Sequence, residues 1–288
     1  MRDLTWQLRQ LARHNRDGSQ MTQAQRAQIL TRCAEQLHEA GYRGMAARSL
    51  KPKHVEALVE RWRSDELSTG TIKNRLAAVR WWAEKVGKSS VVARENAHYG
   101  LPDRSFTAQT SKAADLPDAR LAAVRDERVA MSLRLQAAFG LRREEGLKLT
   151  PIGADRGERL ALRASWCKGG RAREVPIRTP EQRALLEEAK RLAGRGSLIP
   201  AGRSYVEHRR VYERECARAG LSKMHGLRHA YAQARYRELT GLEAPACGGP
   251  SLRGLAEAER ERVREARALI SRELGHEREQ ITAAYLGR

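Results

Sequence analysis

Five short stretches of this 288-residue chain carry side chains that can act together on a phosphodiester. In order they are Gly140-Leu141-Arg142-Arg143-Glu144-Glu145, Lys168, His225-Gly226-Leu227-Arg228, Leu274-Gly275-His276 and Tyr285. A phosphorus under attack becomes five-coordinate and concentrates negative charge. Two arginines can hold its non-bridging oxygens in forked geometry, and preorganised positive charge of this kind can substitute for a metal ion. A histidine can accept the nucleophile's proton or donate to the phosphate. A lysine can protonate the departing 5′ oxygen, and a tyrosine hydroxyl can form a covalent phosphoester. The spacing of His225 and Arg228 sets them one turn apart on one helix face.

Alone, each piece is weak. In an arginine-rich chain, Arg142 beside Arg143 reads as a solvated helix start, and either could be the functional one. A lone HxxR is usually surface charge, Leu-Gly-His a helix end, and a late tyrosine a packing residue. His225 is nonetheless the one histidine of eight with an arginine three positions on. Specificity comes from the order of the five pieces and from their final spacing.

Elements must hold these residues in place. In the first hundred residues, Ile29, Leu30, Cys33 and Leu37 fall at helical spacing between Thr22 and Ala40. Pro52 suits the first turn of a second helix with Val55, Leu58, Val59 and Trp62 on one face. Ser68 and Thr69 can cap a third, striped by Ile72, Leu76, Val79, Ala83 and Val86 and closed by Gly87. Its Lys73, Arg75 and Arg80 can follow a phosphate backbone or simply face solvent. Trp62, Trp81 and Trp82 are expected in the core. Residues 88–117 lack periodicity and read as a linker region. Beyond them a helix is expected from Pro117 to about Phe139. Two alternating strands, Arg159–Ala164 and Arg173–Arg178, flank a glycine-containing turn with Lys168 and Arg171. Further helices are expected near 180–193, 204–219 and 225–239, then a long charged one from Leu255 and a short one reaching Tyr285. The fold class is therefore mainly α with a small antiparallel hairpin.

Charge indicates the partner. Lys and Arg total 55 against 35 Asp and Glu, a formal net charge of +20, and a polyanion suits such a surface. No apolar run approaches the ~18 residues of a membrane span. The N-terminal MRDLTWQLRQLARHNRDG has no apolar signal-peptide core. Cys33, Cys167, Cys216 and Cys247 lie far apart and form no CxxC pair, so buried free thiols are expected and no metal site. A cytoplasmic, nucleoid-associated protein is expected.

The second half resembles the catalytic domain of the tyrosine recombinases, the family of lambda integrase and the Xer resolvases. There an arginine follows a Gly-Leu turn and is trailed by a glutamate three residues later, which selects Arg142 and assigns Glu145 a supporting role. The family's hairpin lysine matches Lys168 in Lys168-Gly169-Gly170, followed by Val175-Pro176-Ile177. Its HxxR box matches His225 and Arg228, its LGH box His276, and its nucleophile Tyr285. More loosely, the first hundred residues resemble the family's helical core-binding domain. The resemblance implies a two-domain architecture: a helical DNA-binding domain over 1–105, a linker over 106–117 and a catalytic domain over 118–288. It also implies a site-specific recombinase that joins Tyr285 to a DNA 3′ phosphate, without cofactor or metal. Four copies would act on paired duplex sites to integrate or excise a mobile element. Lys73, Arg75, Arg80, Arg171 and Arg173 are candidate DNA contacts.

In two places the chain departs from the family. Residues 239–257 look inserted, as a loop for DNA or a neighbour or as a tolerated surface insertion. Three residues follow Tyr285, where many relatives carry a segment that docks onto the next protomer. Two other functions stay open, a type IB topoisomerase-like strand passage enzyme and a catalytically silent DNA-binding accessory protein.

Overall fold

The computed structural model describes residues 3–103, 106–276 and 278–288. Its contacts divide the chain into two compact units, Met1–Arg104 and Ser105–Arg288. The boundary expected at residue 105 lies outside the described residues.

The first unit is helical, with α1 (Asp3–His14), α2 (Gln20–Glu39), α3 (Pro52–Ser64) and α4 (Thr69–Lys85). Local chemistry sets the starts. Ser19 Oγ accepts from the Thr22 N–H (3.2 Å) and Ser68 Oγ from the Thr71 N–H (3.3 Å), satisfying donors that have no partner inside the helix. Leu30, Leu37, Leu50, Leu76 and Val79 are fully buried between the helices. Trp62 and Trp82 join them, and each indole N–H finds an acceptor, Gln36 Oε1 (2.8 Å) and the Ala47 carbonyl (2.9 Å). Trp81 meets that expectation in part, half-buried against the same cluster. One residue from Trp82 is about 100° around the helix, so its ring lies at the edge of the core, where it donates to Asp17 (2.8 Å) and lies under the Arg26 guanidinium.

The second unit begins with an irregular stretch, residues 106–117, that packs on the unit rather than forming a free tether. The Ala108 N–H donates to the Ala283 carbonyl (2.9 Å), and Ser111 Oγ donates to Gln233 (2.9 Å). The helix expected over 117–139 is two: α5 (Asp118–Ala122) and α6 (Glu127–Phe139). Asp126 breaks it, because its carboxylate accepts from the Arg128 and Val129 N–H groups, both at 3.0 Å, and so caps α6. Next come α7 (Arg143–Lys148), α8 (Pro151–Ala154), β1 (Arg159–Leu162) and β2 (Arg173–Pro176). The strands pair antiparallel with Leu160 opposite Val175, both buried, while Arg159 and Glu174 pair outside (3.0 Å). Residues 163–172 join the strands through a 3-10 turn, a longer connection than a tight hairpin turn.

The rest is α9 (Pro180–Ala193), α10 (Tyr205–Arg218), α11 (Gly226–Thr240), α12 (Glu257–Glu273) and α13 (Ala283–Leu286). Thr179 and Ser204 cap α9 and α10, and in return the side chains of Gln182 and Glu207 accept from the backbone N–H of Thr179 and Ser204. The main core gathers Leu135, Phe139, Leu186, Ala232, Tyr236 and Ile270 around the hairpin. A satellite cluster under α6, α7 and α10 holds Leu133, Leu147 and Tyr212.

The inserted-looking stretch 239–257 is not a loose surface loop. Ala244 and Ala246 are buried, and the turn at Pro245–Cys247 packs against α13. Cys33, Cys167 and Cys216 are buried free thiols, whereas Cys247 is exposed. Among the described residues no helix is long and apolar enough to cross a membrane.

Candidate active site

The first arginine is placed by a helix break. Gly140 ends α6 at φ +59°, a left-handed conformation, and a β-carbon there would lie 2.5 Å from the Tyr231 ring. The chain can therefore turn tightly and present Arg142 at the cap position of α7. Three residues on, Glu145 accepts the Arg142 backbone N–H (2.7 Å) and its Nη1 (2.8 Å). Arg143 points elsewhere, paired with exposed Glu213 at 3.0 Å. Arg142 is thus the member of the pair at the site.

Arg228 ties three motifs together. It sits one turn into α11 with no surface exposed. Its Nη1 donates to the Gly140 carbonyl (2.5 Å), its Nη2 to the Leu274 carbonyl and its Nε to the Tyr285 hydroxyl (3.3 Å). Instead of offering an open fork, the guanidinium spends its terminal nitrogens on backbone. Burial first, then Arg173 and Arg142, lower its pKa to about 10, which leaves it a cation at neutral pH.

Three histidines surround the tyrosine ring. His225 Nε2 lies 3.2 Å from the Tyr285 hydroxyl. The His276 ring stacks on Tyr285 at 5.1 Å, with Nδ1 3.1 Å from Thr282 Oγ1 and a buried Nε2 that has no hydrogen-bond partner among the described residues. The His229 ring lies 4.4 Å from that of Tyr285. Burial, then Arg228 and Arg142, push the His225 pKa below its ordinary value and take His276 down to about 3. Burial, then His225 and Lys112, bring His229 to about 4. The lowered values favour neutral rings at pH 7, and in the tautomer protonated at Nδ1 the ring nitrogen of His225 that can accept is Nε2, which faces the phenol. On the backbone side, Gln233 Nε2 donates to the Tyr285 carbonyl (3.0 Å) and Arg267 to that of Gly287 (2.8 Å).

The structure thus brings together Arg142, Glu145, His225, Arg228, His276 and Tyr285. Lys168 stands apart. It is exposed on the connection between the strands, and it reaches the site as one of the charges that lower the His225 pKa.

The expected DNA contacts divide. Arg173 is not on the surface. Its side chain is 5% exposed, and its Nη2 meets Glu145 at 2.5 Å. The alternation of β2 explains this, because Arg173 and Val175 share the inward face. Arg80 is pinned to the Ala93 carbonyl (2.9 Å) and Asn96 (3.0 Å), and Lys73 lies 3.8 Å from Asp103. Arg171 is exposed on the connection. Arg75 lines a groove of about 940 Å³ with Arg9, Arg13, Arg16 and Arg32. The α1 and α2 arginines of this groove escaped the sequence reading. The signal was present in the one-turn spacing of Arg9 and Arg13.

A buried arginine cluster facing a tyrosine hydroxyl, in a helical unit with one hairpin, has the makings of a phosphoryl-transfer centre. Two family models match the chain, the phage integrase N-terminal model over residues 1–92 and the integrase model over residues 104–234. The chain belongs to the integrase family of tyrosine recombinases, whose enzymes are site-specific recombinases. The integrase match ends before α12, so His276 and Tyr285 join the site on geometry. Among solved structures, a lambda integrase dimer bound to a core site is 14% identical (TM-score 0.65), with 98% of this chain and 76% of that chain covered. XerH recombinase bound to a palindromic difH substrate is 16% identical (TM-score 0.62; 99% and 81%). The Tn1549 transposon integrase in complex with circular intermediate DNA is 13% identical (TM-score 0.59; 100% and 96%). At such identities the likeness is one of fold. No curated protein matches the chain in sequence.

Proposed function

We propose that this chain recombines duplex DNA at specific sites by attack of Tyr285 on a backbone phosphate. The observation that carries the reading is the position of the Tyr285 hydroxyl, within hydrogen-bond distance of both His225 Nε2 (3.2 Å) and Arg228 Nε (3.3 Å). His225 takes the phenolic proton as the Tyr285 oxygen bonds to phosphorus. Arg142 and the Nε2 of His276 hold the developing charge on the non-bridging oxygens, and Arg228 adds its charge through Nε, the nitrogen not spent on backbone. The bond from phosphorus to the 5′ oxygen breaks, and Lys168 supplies the proton with which that oxygen leaves. A 3′-phosphotyrosyl link remains. A 5′ hydroxyl from a partner duplex then attacks it, releases Tyr285 and joins the exchanged strands. The phosphoester is conserved throughout, so no nucleotide energy source is required.

In this reading the catalytic part spans 118–288, and the helical part, 1–105, clamps the duplex through its arginine groove and phosphate contacts. Four copies act on two paired sites to integrate or excise a mobile element. A lambda integrase tetramer bound to a Holliday junction has the same fold, at 12% identity and a TM-score of 0.62.

The test is incubation with nicked duplex DNA from the borders of the chain's own genetic neighbourhood, without added metal, followed by a denaturing gel. Wild-type protein is expected to form a covalent adduct that Tyr285→Phe does not form. Sequence-specific binding without adduct would instead establish an accessory DNA-binding protein. Adduct without recombinant product from two marked duplexes would establish a topoisomerase-like enzyme.

A further inference from the structure

Glu145 presents a difficulty for the proposed chemistry. Its carboxylate is fully buried among the very cations that must face a phosphate. It lies 2.8 Å from Arg142 Nη1 and 4.0 Å from Arg228 Nη1. A carboxylate in that position aligns Arg142 but also subtracts a charge from the site. The chain supplies a third guanidinium to offset it. Arg173 donates from Nη2 to Glu145 Oε2 (2.5 Å) and from Nη1 to the Glu273 carbonyl (2.8 Å). The α-carbon of Gly275 closes over it, since a β-carbon there would lie 2.4 Å from Arg173 Cδ.

We infer that Arg173 is a positioning residue that neutralises Glu145, so that Glu145 can orient Arg142 while Arg142 and Arg228 keep their full charge for the phosphate. The inference rests on the proposed function. Three guanidiniums around one carboxylate leave two positive charges uncompensated. A phosphodiester carries one negative charge and gains a second as the phenolate oxygen adds, so the cluster matches the transition state better than the ground state. Without Arg173, Glu145 would cancel half of that charge. The groups facing Glu145 are Arg142 at the α7 cap, Arg173 on β2, Arg228 on α11 and the Cys167 thiol, with His225 within reach of its charge. Burial pushes the carboxyl up, and Arg173, Arg228 and Arg142 together hold it below its ordinary value.

The experiment measures the single-turnover rate of Tyr285 adduct formation on nicked DNA for the wild type, Arg173→Met, Arg173→Lys and the double variant Arg173→Met/Glu145→Gln, alongside DNA affinity and melting temperature. Arg173→Met is expected to be about 100-fold slower at pH 7.5, the scale of losing one preorganised donor, with DNA affinity unchanged. Arg173→Lys keeps the charge and is expected to lose no more than about tenfold. The double variant, in which residue 145 carries no charge, is expected to recover most of the rate. Relative to wild type at the same pH, Arg173→Met is also expected to recover as pH falls and Glu145 protonates, a gain that a merely structural ion pair would not give. A double variant as slow as Arg173→Met, or Arg173→Met within about threefold of wild type, overturns the inference while the proposed function stands. Absence of adduct from the wild type, or its persistence in Tyr285→Phe, overturns both.

Discussion

The hydroxyl of Tyr285 lies 3.3 Å from Nε of Arg228, a guanidinium with no surface exposed to solvent. The tyrosine is thus held by a cation that, in the proposed reaction, stabilises the charge it generates. A phosphate entering the site must take over part of what the hydroxyl now occupies, which places nucleophile and substrate in one small volume.

Arg228 also holds the fold. Replacing it with Ala leaves the Gly140 and Leu274 carbonyls, which it now bonds, without a donor. Losing a charged hydrogen-bonding group from such a position costs about 2–5 kcal/mol. A urea midpoint lowered accordingly, together with loss of adduct, is expected. An unchanged midpoint would show that the two carbonyls find water instead.

Acid is expected to destabilise the second unit through its histidines. The His276 and His229 pKa values fall from 6.5 to about 3 and about 4, with burial the first cause in both. An unfolded chain takes up protons near pH 6.5 that the folded rings refuse, so protonation favours unfolding. The stabilisation is full above pH 6.5 and is lost as pH falls from there towards 3. Thermal melts from pH 7.5 down to pH 4 measure the slope, which His276→Gln should reduce. A slope identical in that variant would rule out His276 as a source.

Lys168 is exposed on the connection between the strands. If it protonates the leaving 5′ oxygen, Lys168→Ala slows cleavage of ordinary DNA by about 10²–10⁴-fold. A substrate with sulfur at the 5′ bridging position needs no such proton, because a thiolate is a good leaving group. That substrate should restore the variant to near wild-type rate, whereas equal impairment on both substrates would assign the proton to another group.

The arginine groove of the first unit should report itself through salt. Exchanging Arg13 and Arg32 for Gln removes two of the cations that line it. Each lost phosphate contact reduces the slope of log affinity against log salt by about 1. A binding titration over a range of salt concentrations that leaves the slope unchanged would place the DNA on another face.

Much of the site was legible in the sequence because its parts are local. Arg142 and Glu145 lie within one turn, as do His225 and Arg228, and caps such as Thr179-Pro180 and Ser204 mark helix starts chemically. Burial was less visible. Arg173 looks like every other arginine in a basic chain, and only the pleat of β2 turns it inward to Glu145. Trp81 and Trp82 are indistinguishable until the helix face is known. The break at Asp126 carried a signal, an aspartate ahead of two backbone donors, but the apolar spacing on both sides masked it. The groove arginines of α1 and α2 acquire a common surface only when two helices pack.

The bond from the Ala108 N–H to the Ala283 carbonyl joins the two ends of the second unit. Nearly the whole unit lies between those residues, so the contact belongs to the slow class of long loop closures rather than to local helix formation. Two residues on from that bond, Tyr285 is held by His225 Nε2 and Arg228 Nε, so the short turn 283–286 is fastened on one side to the start of the unit and on the other to the site. A strain at either attachment would therefore be felt at the other.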